Sequence, residues 1–205
     1  MNIVIVDYGL GNLRSVENAF SLLGAGTKIS SMPSEVGSAD KLVLPGVGSF
    51  QDAVEGLRKR KLIEPIKEFI ASGRVYLGIC LGLQLLYEES EEGKAKGLSV
   101  FKGKVRRFKK KANVKIPHIG WNSVDLKKIG EKLAPMQGIK DASYFYFVHS
   151  YYAEPDDDNT VAATTEYGDV EFTSMISKGN VFATQFHPER SQEVGLKFLK
   201  NFIEM

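Results

Sequence analysis

Through the first half of the chain, apolar residues come in short unbroken runs, each closed by a glycine or polar cluster that leads into an amphipathic stretch. Ile3 to Val6, closed by Asp7, has no polar face, which predicts a strand buried on both sides as in a parallel sheet. The turn Tyr8-Gly9-Leu10-Gly11-Asn12 follows and opens a helix through about Leu23. A second strand is expected near Thr27 to Ser30, a helix start at Pro33-Ser34-Glu35 and a third strand at Lys41 to Leu44. After Pro45-Gly46-Val47-Gly48-Ser49-Phe50 the pattern turns amphipathic from Gln51 to about Lys59, and a further helix from Leu62 to Ala71 ends at Gly73. This alternation predicts an α/β fold: an open, mostly parallel, flavodoxin-like sheet with helices on both faces and functional loops at the strands' carboxyl ends.

Beyond Glu88 the alternation fades, and antiparallel additions with longer loops are expected. Val114 to Asn122 holds the sole tryptophan, and Tyr144 to Tyr152 is an aromatic strand; each suits either core or a partner surface. Phe172 to Ile176 and Val181 to Phe186 flank Ser177-Lys178-Gly179-Asn180, a hairpin signal, and the second strand delivers His187-Pro188-Glu189. Ser191 is placed to cap a last helix whose Val194, Phe198, Leu199, Phe202 and Ile203 line one face.

Chemistry concentrates in the stretch Arg74 to Glu88, RVYLGICLGLQLLYE. A β-prone run from Val75 to Ile79 meets the only cysteine, Cys80, and a leucine-rich helical pattern begins at once beyond it. Gly78 and Gly82 stand two residues either side, as a strained strand-to-helix corner requires, and such a corner should hold its side chain exposed. A helix N-terminus at that point would favour a thiolate, the form a nucleophile needs. The glycines flanking Val47 let a backbone amide turn toward a ligand, and beside a nucleophile that makes an oxyanion-binding loop. The Gly9-Leu10-Gly11 turn lacks the third glycine of a dinucleotide loop and reads as a tight turn.

Of the three histidines, only His187 has a carboxylate close in sequence. Held extended by Pro188, His187 and Glu189 should point to the same side, so that Glu189 fixes the imidazole and a Cys-His-Glu triad follows. His118 reads as structural and His149 as a neighbour of the site.

Composition narrows the picture further. At 205 residues the chain has room for one domain, 1–205, and its 43% apolar and 25% charged residues are those of a soluble globular protein. One cysteine cannot form an internal disulfide, and no apolar run approaches a membrane-spanning length, so a cytoplasmic protein without membrane association is expected. The run KGKVRRFKKK, Lys102 to Lys111, carries seven basic residues and reads either as a solvated strand or hairpin or as a docking or phosphate-attracting patch. Acidic clusters at Glu88, Glu89, Glu91, Glu92 and at Asp156 to Asp158 nearly balance it. The resulting net charge of +2 is too small to make nucleic acid the main partner.

GICLGLQ at 78–84, PGVG at 45–48 and HPE at 187–189, in this order, resemble the class I (triad) glutamine amidotransferases. DYGLGNL at 7–13, PHIGWN at 117–122, YFVHSY at 146–151 and HPERS at 187–191 narrow the resemblance to the glutaminase subunits of imidazole glycerol phosphate synthases, where Leu83 stands in place of the His often found in sister amidotransferases. The resemblance implies hydrolysis of L-glutamine, with Cys80 as nucleophile, His187 as general acid and base, and Glu189 orienting it. It further implies an oxyanion site of Val47, Gly48 and Leu81 amides, substrate contacts from Gln84, Glu92, Ser150 and Tyr151, and no cofactor or metal. It also implies a (β/α)₈-barrel cyclase partner in a heterodimer. That partner would receive ammonia through a channel, switch the glutaminase on, and be docked by Asn12, Trp121, Asn122, Tyr146 and Arg190. A glutaminase of another pathway, or a non-catalytic nucleotide-binding module using the Gly9-Gly11 turn, are the alternatives.

Overall fold

The computed structural model describes residues 1–109 and 114–205. Strand β1 (Ile3–Val6), helix α1 (Leu13–Leu22), β2 (Thr27–Ser30), α2 (Pro33–Ser38), β3 (Lys41–Gly46), α3 (Phe50–Lys59), α4 (Ile63–Ala71) and β4 (Val75–Cys80) make up the first half. The one-turn helix α5 (Leu81–Gln84) then leads to β5 (Tyr87–Ser90), β6 (Phe101–Arg107), β7 (His118–Leu126), β8 (Ser143–His149) and β9 (Tyr151–Pro155). The chain closes with β10 (Val161–Tyr167), β11 (Val170–Lys178), β12 (Val181–Thr184) and α6 (Gln192–Glu204).

The strands order as β2-β1-β3-β4-β12-β11-β10-β7-β8, with β5, β6 and β9 as a side branch. From β2 to β12 every pairing is parallel; from β12 onward the main path is antiparallel. The expected architecture is therefore observed, including the antiparallel additions. Alternation along the central strands divides the core in two. Val4, Val6, Leu42, Leu44 and Tyr76 pack with α3 and α4 through Val54, Leu57, Ile66 and Phe69. Ile3, Ile5, Val43, Leu77 and Ile79 pack on the other face with α1 and α6 through Phe20, Phe198 and Phe202. Lys41, buried at the start of β3, donates from Nζ to the carbonyls of Phe202 and Ile203 at 2.8 Å each, tying the open carboxyl end of α6 to the central sheet. Burial lowers the pKa of that ammonium.

Five expectations change in detail. The aromatic strand Tyr144 to Tyr152 breaks at Ser150 into β8, paired with β7, and β9, paired with β6. The strand β3 runs on through Pro45 to Gly46, because it stays paired with β4 as far as Gly46 opposite Cys80. The leucine-rich segment after Cys80 makes only one helical turn: Leu83, Leu85 and Leu86 all reach the core, but the chain leaves as β5 to pair with β6. The hairpin turn shortens to Gly179-Asn180, since Lys178 already pairs with Val181. Ser191 does not cap α6 with its side chain, which is occupied elsewhere.

The described part of the basic run is mostly β6, a solvated, ion-paired strand. Arg106 reaches Glu91 at 2.9 Å and Glu154 at 2.8 Å, and Arg107 N donates to Glu91. Lys110 and Lys111 lie outside the described residues. Among the described residues no helix is long and apolar enough to cross a membrane.

Candidate active site

The carboxyl ends of β3, β4 and β12 lie side by side, and register alone brings the site together. Gly46 pairs with Cys80, so the loop Val47-Gly48 starts beside the cysteine. Thr184 pairs with Ile79, so the next residues, Gln185 and Cys80, are abreast, with His187 just beyond. A cavity of about 230 Å³ opens there, lined by Val47, Gly48, Cys80, Leu81, Gln84 and Glu92 from the first half and by Pro117, Val148, His149, Ser150 and Tyr151 from the second. All the residues expected to form the oxyanion site and the substrate contacts are among them.

Cys80 is not exposed as expected but 5% accessible, lining the cavity and covered by Val148 of β8 and by Gln185 just past β12. Its own backbone carries the strain, with φ 53° and ψ −102°. That conformation costs a non-glycine residue about 1–3 kcal/mol, so the surrounding packing must hold it. Gly78 and Gly82 serve close approach: a Cβ on Gly82 would stand 1.8 Å from the Leu44 carbonyl oxygen, and one on Gly78 2.7 Å from the Gly82 oxygen. A one-turn α5 carries little macrodipole, so the free N–H groups at its start are what it offers an anion.

His187 is extended, with φ −101° and ψ 93°, but Glu189 lies in a single 3-10 turn, Pro188–Arg190, rather than in extended chain. The turn still brings the two side chains together, with Nδ1 and Oε1 2.8 Å apart and both side chains almost wholly buried. Burial opposes the imidazolium, but the neighbouring Cys80 and then Glu189 outweigh it and raise His187 to about 10. Nε2 makes no hydrogen bond of normal geometry among the described residues, yet lies close enough to Cys80 to feel its charge. Ser191, fully buried, holds this arrangement: its hydroxyl donates to the His187 carbonyl at 2.6 Å and accepts from Tyr146 N at 3.0 Å.

The other two histidines form a pair behind the cavity. His149 Nδ1 donates to the Tyr151 carbonyl at 2.8 Å, which leaves Nε2 to accept from His118 Nδ1 at 3.1 Å. His118 Nε2 then accepts from Asn122 at 3.4 Å. Burial lowers His118 to about 4. Burial, against the pull of the Tyr151 bond and with the help of the nearby His118 and His187, lowers His149 to about 3. His118 is thus structural, stacked on Tyr167 at 3.9 Å, and His149 is a wall of the cavity.

These shifts set a pH optimum for stability. Near pH 5 both imidazoles are neutral in the fold and protonated in the unfolded chain, so unfolding takes up about two protons. Stability should fall by about 1.4 kcal/mol per pH unit for each as pH drops from 6.5 toward 4. The raised His187 acts oppositely: its contribution is complete below 6.5 and is lost as pH rises toward about 10. Thermal melts from pH 4.5 to 9.5 should peak near 6.5, and a midpoint still rising at pH 9 would contradict the assignment.

Glu92 accepts from Phe50 N at 2.7 Å while Ser49 accepts from Asp52 N at 3.1 Å, so Glu92 and Ser49 together satisfy the N-terminus of α3 and brace the Val47-Gly48 loop. Burial raises the Glu92 carboxyl despite that bond. Gly48 has φ 108°, a conformation open to glycine. The Tyr151 carbonyl accepts from both His149 and Gln84, leaving it no lone pair for a ligand. Of the expected docking residues, Asn12 and Arg190 are exposed, and Trp121 is 44% accessible and therefore not core. Trp121 packs edge-on against Tyr146 at 6.2 Å, and the Arg190 guanidinium lies 4.3 Å over the Tyr146 ring. Asn122 spends its amide inward on Glu166, His118 and Ser123. The Gly9-Gly11 turn is packed by Arg60, which donates to the Tyr8 carbonyl at 2.8 Å.

Sequence reasoning missed Gln185 and the true place of Ser191. A glutamine within the apolar run Val181 to Phe186 was the available signal, since a polar side chain in a buried strand must find a partner.

The profile of the family described as "Glutamine amidotransferase class-I" matches residues 4–205. A protein named imidazole glycerol phosphate synthase subunit HisH from Rhodopirellula baltica is 49% identical over 201 residues, 98% of this chain and 96% of that protein. The HisH subunit of Chlorobaculum tepidum is 51% identical over 203 residues, 98% of this chain and 99% of that one. Among solved structures, PurLQS from Thermotoga maritima superposes with a TM-score of 0.76 at 20% identity, covering 99% of this chain and 97% of that one, a likeness of fold. With the family match spanning nearly the whole chain and half of all residues shared with these relatives, the chain belongs to the class-I glutamine amidotransferases, within the group of HisH subunits of imidazole glycerol phosphate synthase.

Proposed function

We propose that this chain, as one domain over 1–205, hydrolyses L-glutamine to glutamate and ammonia. It hands the ammonia to a (β/α)₈-barrel cyclase, with which it forms a heterodimer making imidazole glycerol phosphate and an aminoimidazole carboxamide ribotide in histidine biosynthesis. The observation that carries the reading is the cavity that joins the Cys80 sulfur, the Val47-Gly48 loop and the start of α5, with the His187–Glu189 pair buried behind it.

The sulfur attacks the side-chain amide carbon of glutamine, and the carbonyl electrons move onto oxygen. The N–H groups of Leu81 and of the Val47-Gly48 loop are the donors for that oxyanion; one such donor is worth about 10²–10³ in rate in a comparable protease. His187, which carries a proton at neutral pH, gives it to the departing amine as the carbon–nitrogen bond breaks, leaving a thioester and ammonia. The imidazole, now neutral, takes a proton from water as the water adds to the thioester, and the sulfur leaves as glutamate forms. Gln84, Glu92, Ser150 and Tyr151 are the substrate contacts. Both amide protons of Gln84 are spent on Tyr151 O and Gln185 Oε1, so Gln84 meets glutamine through its own oxygen. Glu92 offers a carboxylate to the substrate's α-ammonium.

The cluster of Trp121, Tyr146 and Arg190, with Asn12 at the start of α1, is the docking face for the cyclase. Coupling suits the chemistry, because ammonia released to water is protonated and lost as a nucleophile. Val47, next to Gly48, carries an amide that can turn toward or away from the cavity, and docking is what sets it. Ammonia release from glutamine should therefore be low for the chain alone and rise at least tenfold when purified cyclase and its nucleotide substrate are added. Equal release with and without the cyclase would reject the coupling. No release under either condition, with Cys80 unreactive toward an electrophilic glutamine analogue, would reject the glutaminase.

A further inference from the structure

Gln185 is wholly buried, one residue past the last paired position of β12, abreast of Cys80. Its Nε2 lies 3.4 Å from the Cys80 sulfur, and its Oε1 lies 3.1 Å from Gln84 Nε2. An isolated glutamine amide can be turned end for end at little cost, but this one cannot. The Tyr151 carbonyl, an acceptor only, takes one proton of Gln84 Nε2 at 2.9 Å, which fixes the orientation of the Gln84 amide. The second proton of the same nitrogen faces Gln185 and must meet an acceptor, so Oε1 of Gln185 turns to it and the NH₂ end is left facing sulfur. Polarity thus runs in one direction from a backbone carbonyl to the nucleophile through two buried amides.

We propose that Gln185 is a positioning residue for the nucleophile, donating a hydrogen bond to the Cys80 sulfur in an orientation locked by Gln84 and the Tyr151 carbonyl. The inference rests on the thioester reading above and adds to it a group that reaches the sulfur from the β12 edge of β4, opposite the β3 edge that carries the Val47-Gly48 loop. A bond to a charged acceptor is about twice as strong as one between neutral partners, so the amide favours the sulfur while it is anionic. It therefore helps the sulfur twice, before attack on the amide and again when it leaves the thioester carbon. When sulfur is bonded to carbon its charge is gone and the amide contributes little. Loss of the donor should slow both formation and breakdown of the thioester, lowering kcat and leaving KM nearly unchanged.

The test is the pH profile of Cys80 alkylation by iodoacetamide in the full-length chain, unsubstituted and as Gln185→Met, which keeps length and volume but has no donor. The profile of the variant is expected to move up by about one pH unit, with a plateau rate at high pH no lower than that of the parent, and kcat in the complex with cyclase to fall about tenfold at unchanged KM. A purely structural role for Gln185 predicts a lower melting temperature with a superimposable alkylation profile, and that result overturns the proposal. Should the methionine variant fold poorly, the unsubstituted chain supplies the second measurement. The side-chain amide proton resonances of Gln185 should titrate with the alkylation midpoint and lose that titration once Cys80 is carboxamidomethylated. Resonances that do not respond also overturn it. A chain in which the alkylation profile and the Gln185 resonances behave as expected but glutamine yields no ammonia with cyclase present would sink the glutaminase reading and leave standing the hydrogen bond from Gln185 to the sulfur.

Discussion

Replacing Cys80 by serine is expected to lower ammonia release from glutamine by about four to six orders of magnitude, while the fold is kept. The oxygen would occupy nearly the place of the sulfur, with Gln185 still able to donate to it, so packing changes little. What changes is charge. His187 is raised to about 10 although its burial works the other way, and Cys80 is the first cause of that rise, ahead of Glu189. A hydroxyl supplies no such anion. Without it, burial regains the upper hand at His187, and the hydroxyl must lose its proton inside an apolar pocket before it can attack. The same loss of charge gives a second readout independent of glutamine. In the parent protein, stability should decline between pH 6.5 and 10 as the contribution of His187 is lost; in the serine variant that alkaline decline should flatten, because the folded and unfolded imidazoles then titrate closer together. The cyclase should still make product from added ammonium salts, since neither Trp121, Tyr146 nor Arg190 touches the substituted position. Glutaminase activity above about one per cent of the parent, or an alkaline decline of unchanged slope, would remove Cys80 from the centre of the mechanism.

How far the sequence reached depended on the distance over which each feature is determined. The strands β1, β3 and β4 are continuous apolar runs bounded by glycine or polar residues, a signal contained within six residues, and their identity and order were legible. The His187–Glu189 contact was legible for the same reason, since Pro188 constrains it locally, although the backbone that achieves it is a 3-10 turn and not the extended chain expected. The length of α5 was not. Leu83, Leu85 and Leu86 satisfy a helix and a buried strand equally over so short a window, and the choice is made by pairing of Tyr87 to Ser90 with Phe101 to Val105, which no local pattern announces. Burial of Cys80 was misjudged because the cover comes from Val148 and Gln185, about seventy and a hundred residues later. Ser191 looked like a helix cap from its place before α6, yet its hydroxyl is taken by His187 and Tyr146, partners that only the folded sheet supplies.

Gly82→Ala is expected to cost about 3–5 kcal/mol of stability and, in whatever fraction still folds, at least a hundredfold in glutaminase rate. The added Cβ would stand 1.8 Å from the carbonyl oxygen and 2.9 Å from the carbonyl carbon of Leu44, both of them backbone atoms of a strand paired on its two edges. No side-chain rotation relieves that contact. Either β3 must part from β4, at the expense of the ladder from Lys41–Val75 to Gly46–Cys80, or the α5 turn must lift, carrying Cys80 and the Leu81 amide away from the cavity. The Gly82 carbonyl is itself closely packed over Gly78, where an added Cβ would stand 2.7 Å from the carbonyl oxygen and 3.1 Å from the Ala183 Cβ. The second choice would misplace the sulfur by on the order of an ångström, enough to break alignment for attack. Gly37→Ala serves as the matched control. It is also helical and non-strained, but an added Cβ there meets nothing within 4 Å, so the same substitution should stabilise by about 0.5–1 kcal/mol through the unfolded chain and the helix preference of alanine. Chemical denaturation of the two variants should therefore give shifts of opposite sign. A Gly82→Ala protein as stable and active as the parent would mean that the corner at Cys80 is not held by the close packing of Leu44, Gly82 and Gly78.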